Sequence, residues 1–397
     1  MASVRRLLVT LPLLAALASG AIDDPPGAEP PPEPAASVGP AHPQPTPPVR
    51  HVALLSTDPL HAPHAISDRL VELVDGTPAG ETIEVVTYFI ASRRVAEALR
   101  RAVERGVTLH LITAGDDRAR SLAAGTRLAA FLDRRAATGT WALSTDHSAR
   151  GTGGITHQKT WRFSRTGDRR WVVVTGSYNA SRRSDDYTYA HMWEVSGDPA
   201  IYGAFASIFT AQHADRPLAR PLASTRGTGW SAYFLPLQDP APDHDPVMRR
   251  LREIPAEPST ALSIEMYSMW GPRAEWIAER LSAMARAGAR ITMVAGPWVD
   301  PIVQRRMTAA GVRIESGCFA DRTFTHAKDM SATWRQDGVR TWWTWIGSDN
   351  WTSQGAPDDE AVLGLAGRRL YDEFQAAFEN VRRRDGVPTQ TCSPVVD

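Results

Sequence analysis

The sequence predicts an α/β protein built from two similar halves. Each half is expected to hold a strand–helix–strand unit in a mixed sheet flanked by helices, with a pseudo-twofold axis relating them and the active site at their interface. Three observations predict this: a segment that recurs 180 residues further along, matching pieces upstream of both copies, and a paired polar motif downstream of both.

The recurring segments are TIEVVTYFIASRRVAEALRRAVERGVTLHLITAG at 82–115 and LSIEMYSMWGPRAEWIAERLSAMARAGARITMVAG at 262–296. Each opens with a β-rich apolar run, Ile83 to Ile90 or Ile264 to Met269. Each continues with apolar residues at helical spacing, Val95, Leu99 and Val103 or Ile277, Leu281 and Ala285. Gly106 and Gly288 are helix stop signals, and a second strand follows each, Thr108 to Thr113 or Arg290 to Val294. Such units build parallel sheets. Upstream, VALLS and the helix ISDRLVELV correspond to SAYFLP and the helix PVMRRLREI. The halves are expected at 51–222 and 223–397.

The N-terminus has a different character. Arg5 and Arg6, an apolar run from Leu7 to Leu17 and small residues at Ser19, Gly20 and Ala21 read as a secretory signal peptide at 1–21, which predicts a secreted, extracellular protein. Residues 22–50 hold eleven prolines and are expected to be a disordered tether. Lys and Arg total 44 and Asp and Glu total 44, so the whole chain has no formal net charge; removal of 1–21 leaves it two units negative. That balance argues against a protein that lives on nucleic acid, where a basic surplus supplies affinity. With 43% hydrophobic and 22% charged residues the composition is globular. The two cysteines, Cys318 and Cys392, are expected to pair in an oxidising compartment. Neither a zinc motif nor clustered histidines appear in the sequence, so no metal and no cofactor is expected. A monomer is expected.

The chemistry lies downstream of the repeats. ITHQKTWRFSRTGDRRWVVVTGSYNAS at 155–181 and FTHAKDMSATWRQDGVRTWWTWIGSDNWTS at 324–353 both give His-x-Lys, a strand, a Gly-bearing turn, a strand and Gly-Ser-x-Asn. Alternation puts His157 and Lys159 on one face, and likewise His326 and Lys328. A hairpin then returns Asn179 or Asn350 beside them. The chain has only two lysines, Lys159 and Lys328, against 42 arginines. A compact ammonium is not interchangeable with a planar guanidinium where a phosphate oxygen is gripped as a point charge. One neutral imidazole can attack phosphorus, a second can protonate the departing alkoxide, and Lys and Asn can hold the non-bridging oxygens.

The paired His-x-Lys and Gly-Ser-x-Asn segments, with their strand–helix–strand units, resemble the phospholipase D superfamily over nearly everything after the tether. The resemblance implies a bilobal α/β sandwich, a phosphohistidine intermediate, and transfer to water or another alcohol. It makes His157 the nucleophile and His326 the general acid/base, or the reverse. It also implies that an acid pairs with the His of the opposite half, so Glu360 is expected on His157 and Glu194 on His326. Ser177 and Ser348 are expected to anchor the Asn turns at the substrate. One departure stands out: Ser164 and Thr333 occupy the family's usual motif Asp, a pattern similar to that of tyrosyl-DNA phosphodiesterases.

The expected activity is therefore a secreted phospholipase D-type phosphodiesterase acting on phospholipid, with transient membrane-surface contact. The alternatives are a secreted nuclease of the same superfamily, with nucleic acid as substrate, and a catalytically silent binding protein. Trp161, Trp171, Trp334, Trp342, Trp343, Trp345 and Trp351 surround the motifs; such strand aromatics line a cleft, dip into an interface or, more often, form core. Asp185, Asp186, Asp358 and Asp359 read as solvated loop charges.

Overall fold

The repeat folds into two sheets of the same design. The computed structural model describes residues 50–392. The expected signal peptide and all of the expected tether except Arg50 lie outside the described residues. Within the unit that begins at Pro48, the first half contributes β1 (His51–Thr57), β2 (Thr82–Thr87), β3 (Thr108–Ala114), β4 (Trp141–Thr145), β5 (Thr160–Thr166), β6 (Arg169–Gly176) and β7 (Thr188–Ser196). The second contributes β8 (Ala223–Gly227), β9 (Trp230–Leu235), β10 (Ala261–Trp270), β11 (Arg290–Val299), β12 (Arg313–Ser316), β13 (Phe324–Thr325), β14 (Lys328–Gln336), β15 (Val339–Gly347), β16 (Trp351–Thr352) and β17 (Glu360–Ala366).

The first sheet runs β1-β7-β6-β5-β2-β3-β4. The second runs β9-β17-β15-β14-β10-β11-β12, with β8 outside β9. Position by position the two orders match, and so do the directions: β2–β3–β4 and β10–β11–β12 are parallel, the other neighbours antiparallel. The crossover helices are Arg93–Glu104 and Gly271–Arg286. Ser92 caps the first by accepting from the Val95 amide. Gly106 and Gly288 end the helical stretches at φ of 96° and 99°, where a side chain would be strained.

Burial follows the apolar pattern. Val95, Leu99 and Val103 pack in the first half's core, and Ile277 and Leu281 in the second's. A third cluster lies between the sheets, where Val173, Trp193 and Val195 of β6 and β7 meet Phe234, Ile346, Leu363 and Leu365 of β9, β15 and β17. Of the tryptophans flanking the motifs, Trp161, Trp334, Trp345 and Trp351 are core, while Trp171 is exposed. Cys318 and Cys392 form a disulfide.

Candidate active site

The two motifs meet where the halves cross-connect. Although β13 belongs to the second half in sequence, it pairs with β7 of the first sheet, and the His326 amide donates to the Tyr189 carbonyl at 2.8 Å. In mirror fashion Thr156 bridges to Asp359, and the His157 amide donates to the Asp359 carbonyl at 3.1 Å. Each histidine is thus delivered onto the last central strand of the opposite half. Each lysine then folds back on its own histidine: Lys159 Nζ donates to the His157 carbonyl, and Lys328 Nζ to the His326 carbonyl at 2.5 Å.

The Asn turns are fastened by the serines. The Ser177 amide donates to the His191 carbonyl at 2.9 Å, and Ser177 Oγ accepts from the His191 amide at 3.1 Å. Ser348 does the same with Ala361, at 3.0 and 3.1 Å. These serines hold the turns, as expected. The preceding glycines are required by close approach: a Cβ on Gly176 would lie 2.2 Å from the His191 carbonyl oxygen, and one on Gly347 would lie 2.5 Å from that of Ala361. Asn179 Oδ1 and Asn350 Oδ1 are both buried without a hydrogen-bond partner, the same unsatisfied polar atom at the matching position of each motif.

Both lysines are buried, with 0% and 3% of their surface exposed. Burial drives the Lys159 ammonium down to about 7, opposed by Glu360 and Asp358. Burial and the neighbouring Lys159 drive Lys328 well below its ordinary value. His157 is held neutral by burial and by the charges of Lys159, Lys328 and Arg118. Burial, with Lys328, Lys159, His157 and Arg183, does the same to His326. The two motif sets therefore act on one another's protons across the interface.

The orienting groups are unequal. His157 Nδ1 lies 2.6 Å from Glu360 Oε1, as the sequence led us to expect, and a proton held there leaves Nε2 free. Glu194 is not the counterpart. Its carboxylate is held by Arg69 through paired bonds of 2.7 Å and by Arg169 at 2.6 Å, so it belongs to an arginine cluster. The ladder shows why: Gly176 faces Met192 and Gly347 faces Val362, so the position equivalent to Glu360 is Ala190. His326 Nδ1 instead donates to the Ser177 carbonyl at 3.1 Å, and Asp329, beside Lys328, is bonded to His191.

Sequence reasoning also misplaced three aspartates. Asp359 is fully buried, accepting from Arg150 Nε and the Ala149 amide, and so fixes the strand end that carries Glu360. Asp358 accepts from the Ile155 amide at 2.9 Å, and burial pushes it up to about 7. Asp185 is buried against the Tyr178 hydroxyl. Asp349, the variable residue of the second Gly-Ser-x-Asn, is gripped by buried Arg273, which also binds the Asn350 carbonyl and Asp245. Two tyrosines were missed. Tyr88 lies against His157 with ring centroids 5.5 Å apart, and Tyr267 lies 4.5 Å from His326. Counted from the pairing of β2 with β5 and of β10 with β14, the two stand at the same register of their repeats, which is the signal that could have revealed them.

His157, Asp358 and Glu360 present ligand-type atoms within 4.8 Å of one another. The cation these carboxylates already meet is the Lys159 ammonium, whose charge they support. A divalent ion there would sit against that ammonium, so the donor set fits a metal poorly.

Residues 77–212, which include His157, Lys159 and Asn179, match the family described as cardiolipin synthase, PLD-like domain. No curated protein matches the chain by sequence. The fold is similar to that of phosphatidylserine synthase from Haemophilus influenzae Rd KW20, at 10% identity and a TM-score of 0.58, over 84% of this chain and 86% of that one. It is also similar to polyphosphate kinase from Porphyromonas gingivalis, at 14% identity and a TM-score of 0.56, over 84% of this chain and 51% of that one. The chain thus spans about half the length of that kinase. Nuc from Salmonella typhimurium, a phospholipase D family member, matches at 15% identity and a TM-score of 0.33, over 42% of this chain and 96% of that one. Residues 77–212 thus match a PLD-like domain, and the two-sheet fold around them is similar to that of the phosphatidylserine synthase.

Proposed function

We propose that the chain is a metal-independent phosphodiesterase that hydrolyses phospholipid headgroup esters, after export, through a phosphohistidine on His157. The observation that carries this reading is the single carboxylate: Glu360 orients His157, whereas Ala190 stands opposite His326. With its proton on Nδ1, His157 attacks phosphorus through Nε2, and the bond to the leaving oxygen breaks. His326, protonated once the bound phosphodiester supplies negative charge, gives its proton to that oxygen. Neutral His326 then takes a proton from water as the water's oxygen displaces His157 from phosphorus. Lys159, Lys328, Asn179 and Asn350 hold the non-bridging oxygens through both steps.

Phospholipid is favoured over nucleic acid on two grounds. The chain has no basic surplus. The second half exposes large apolar side chains, Trp298, whose indole N–H donates to the Tyr267 hydroxyl at 2.9 Å, Trp270 and Ile302. The similarity to a phosphatidylserine synthase fits this reading. The test is headgroup release from phospholipid vesicles, set beside nicking of plasmid DNA, both with chelator present. We expect lipid turnover that His157→Asn abolishes. Plasmid nicking without lipid turnover would replace the substrate assignment, and turnover that survives His157→Asn would sink the mechanism.

A further inference from the structure

One cation beside the site has no part in the mechanism above. Arg118 follows the first repeat, on the short helix Asp117–Ser121, and is partly exposed. Its guanidinium carbon lies 5.8 Å from the centroid of the Tyr88 ring. Lys159 Nζ lies 5.8 Å from the same centroid, and the His157 ring lies 5.5 Å away. Three groups of the His157 side therefore surround one tyrosine.

Arg118 has no countercharge there. Among the described residues it forms no ion pair, and its Nε is buried without a hydrogen-bond partner. Of the two acids just before it, Asp117 is exposed and makes no ion pair with it, and Asp116 is occupied: its Oδ1 accepts from the Ala119 amide at 2.9 Å and its Oδ2 from the Tyr88 hydroxyl at 2.7 Å. Nor is the charge a feature of the fold. After the Ala-Gly that ends both repeats, the second half has Pro297, Trp298 and Val299 where the first has Asp116, Asp117 and Arg118.

A phosphodiester carries one negative charge, and two ammonium groups already meet it. A third cation within the same shell disfavours protonation of both His157 and Lys159 in the free site. Such an arrangement becomes favourable when the ligand brings a second anionic group, because a guanidinium binds carboxylate or phosphate through paired charge-assisted bonds. We infer that Arg118 binds a second anionic group of the substrate, so that phosphodiesters with a carboxylate or another phosphate near the scissile phosphorus are preferred over zwitterionic ones. The inference rests on the phosphodiesterase reading above and names the substrate class within it.

The test uses soluble short-chain lipids, so that surface charge plays no part. Steady-state kcat/KM is measured for monomeric dihexanoyl phosphatidylserine and dihexanoyl phosphatidylcholine, with bis(p-nitrophenyl) phosphate as reference, on the wild-type chain, Arg118→Gln and Arg118→Lys. A charged hydrogen bond to substrate corresponds to a serine-over-choline preference of about tenfold or more. That preference should fall towards one in Arg118→Gln and return in part in Arg118→Lys. A wild-type ratio near one, or a ratio unchanged in Arg118→Gln while the reference is still hydrolysed, overturns the inference and leaves the phosphodiesterase reading intact. Failure of the wild-type chain on all three compounds removes that reading, and this inference with it.

Discussion

Replacing Glu360 by Gln tests the site at the point where its two halves differ. The carboxylate is fully buried and lies 2.6 Å from His157 Nδ1. Glutamine keeps the shape and can still accept from Nδ1, but removes the charge. In the proposed first step His157 becomes cationic as it bonds to phosphorus, so the loss falls on the transition state. A hydrogen bond to a charged group contributes about 1.5–3 kcal/mol. At about 1.4 kcal/mol per decade, its loss corresponds to roughly a 10- to 150-fold fall in kcat/KM. A second readout is independent of that size. Among the groups that support the Lys159 ammonium, now near 7, Glu360 acts most strongly. Without it the ammonium is lost at lower pH. The pH profile of kcat/KM, which reports the free enzyme, should rise at acidic pH as His157 deprotonates and fall near 7 as Lys159 does. In Glu360→Gln the falling limb should move to more acidic pH. A loss under about threefold with an unmoved limb would show that Glu360 neither orients His157 nor supports Lys159, and the assignment of His157 as nucleophile would lose its basis.

Other perturbations separate working groups from bystanders. Lys159→Arg and Lys328→Arg should each lower kcat by about 100-fold or more, because a planar guanidinium cannot take the buried place of an ammonium; steady-state kinetics on bis(p-nitrophenyl) phosphate checks this. Glu194→Gln, at the Arg69 and Arg169 cluster, should leave kcat/KM within about twofold of wild type, and a larger loss would restore a catalytic role to that residue. The Cys318–Cys392 disulfide closes a separation of 74 residues, so Cys318→Ser should lower unfolding stability by about 4 kcal/mol, read from urea denaturation.

The parts of this molecule legible in the sequence were those written twice. Two strand–helix–strand units, two glycine stops and two polar motifs align without gaps that matter, and the sheets repeat their order strand for strand. His157, His326, Lys159, Lys328, Asn179 and Asn350 emerged the same way. What stayed hidden was written once. Glu360 was expected on His157, but that its structural equivalent is Ala190 shows only in the β7 and β17 registers; the resemblance pointed to Glu194, which lies four residues further along the strand. Asp358 and Asp359 sit in a polar loop and read as solvated, yet the bond of Arg150 to Asp359 spans 209 residues of chain. No local pattern announces a partner that distant.

That division between what is duplicated and what is not also bears on catalysis. A symmetric pair of histidines would leave the direction of attack undecided, since each could serve as nucleophile or as acid. The shared scaffold supplies the proposed grip on phosphorus: the lysines, the Asn turns and the serines beneath them recur in both halves. Direction comes from what the halves do not share. The first side of the site has Glu360 on its histidine and Arg118 near its tyrosine; on the second, Ala190 stands in the place of Glu360 and Val299 in that of Arg118. A neutral imidazole whose Nδ1 proton is bound by a carboxylate is the better nucleophile, because the cation formed on attack is stabilised where it forms. A histidine whose Nδ1 meets a carbonyl and the Lys328 ammonium, with no carboxylate, gains less from carrying charge, and so more readily gives its proton up. Introducing Glu at position 190 in the Glu360→Gln background therefore asks whether direction follows the carboxylate. If it does, trapped phosphohistidine should move from residue 157 to residue 326; phosphorylation that stays on His157 would mean that the direction is set elsewhere in the site.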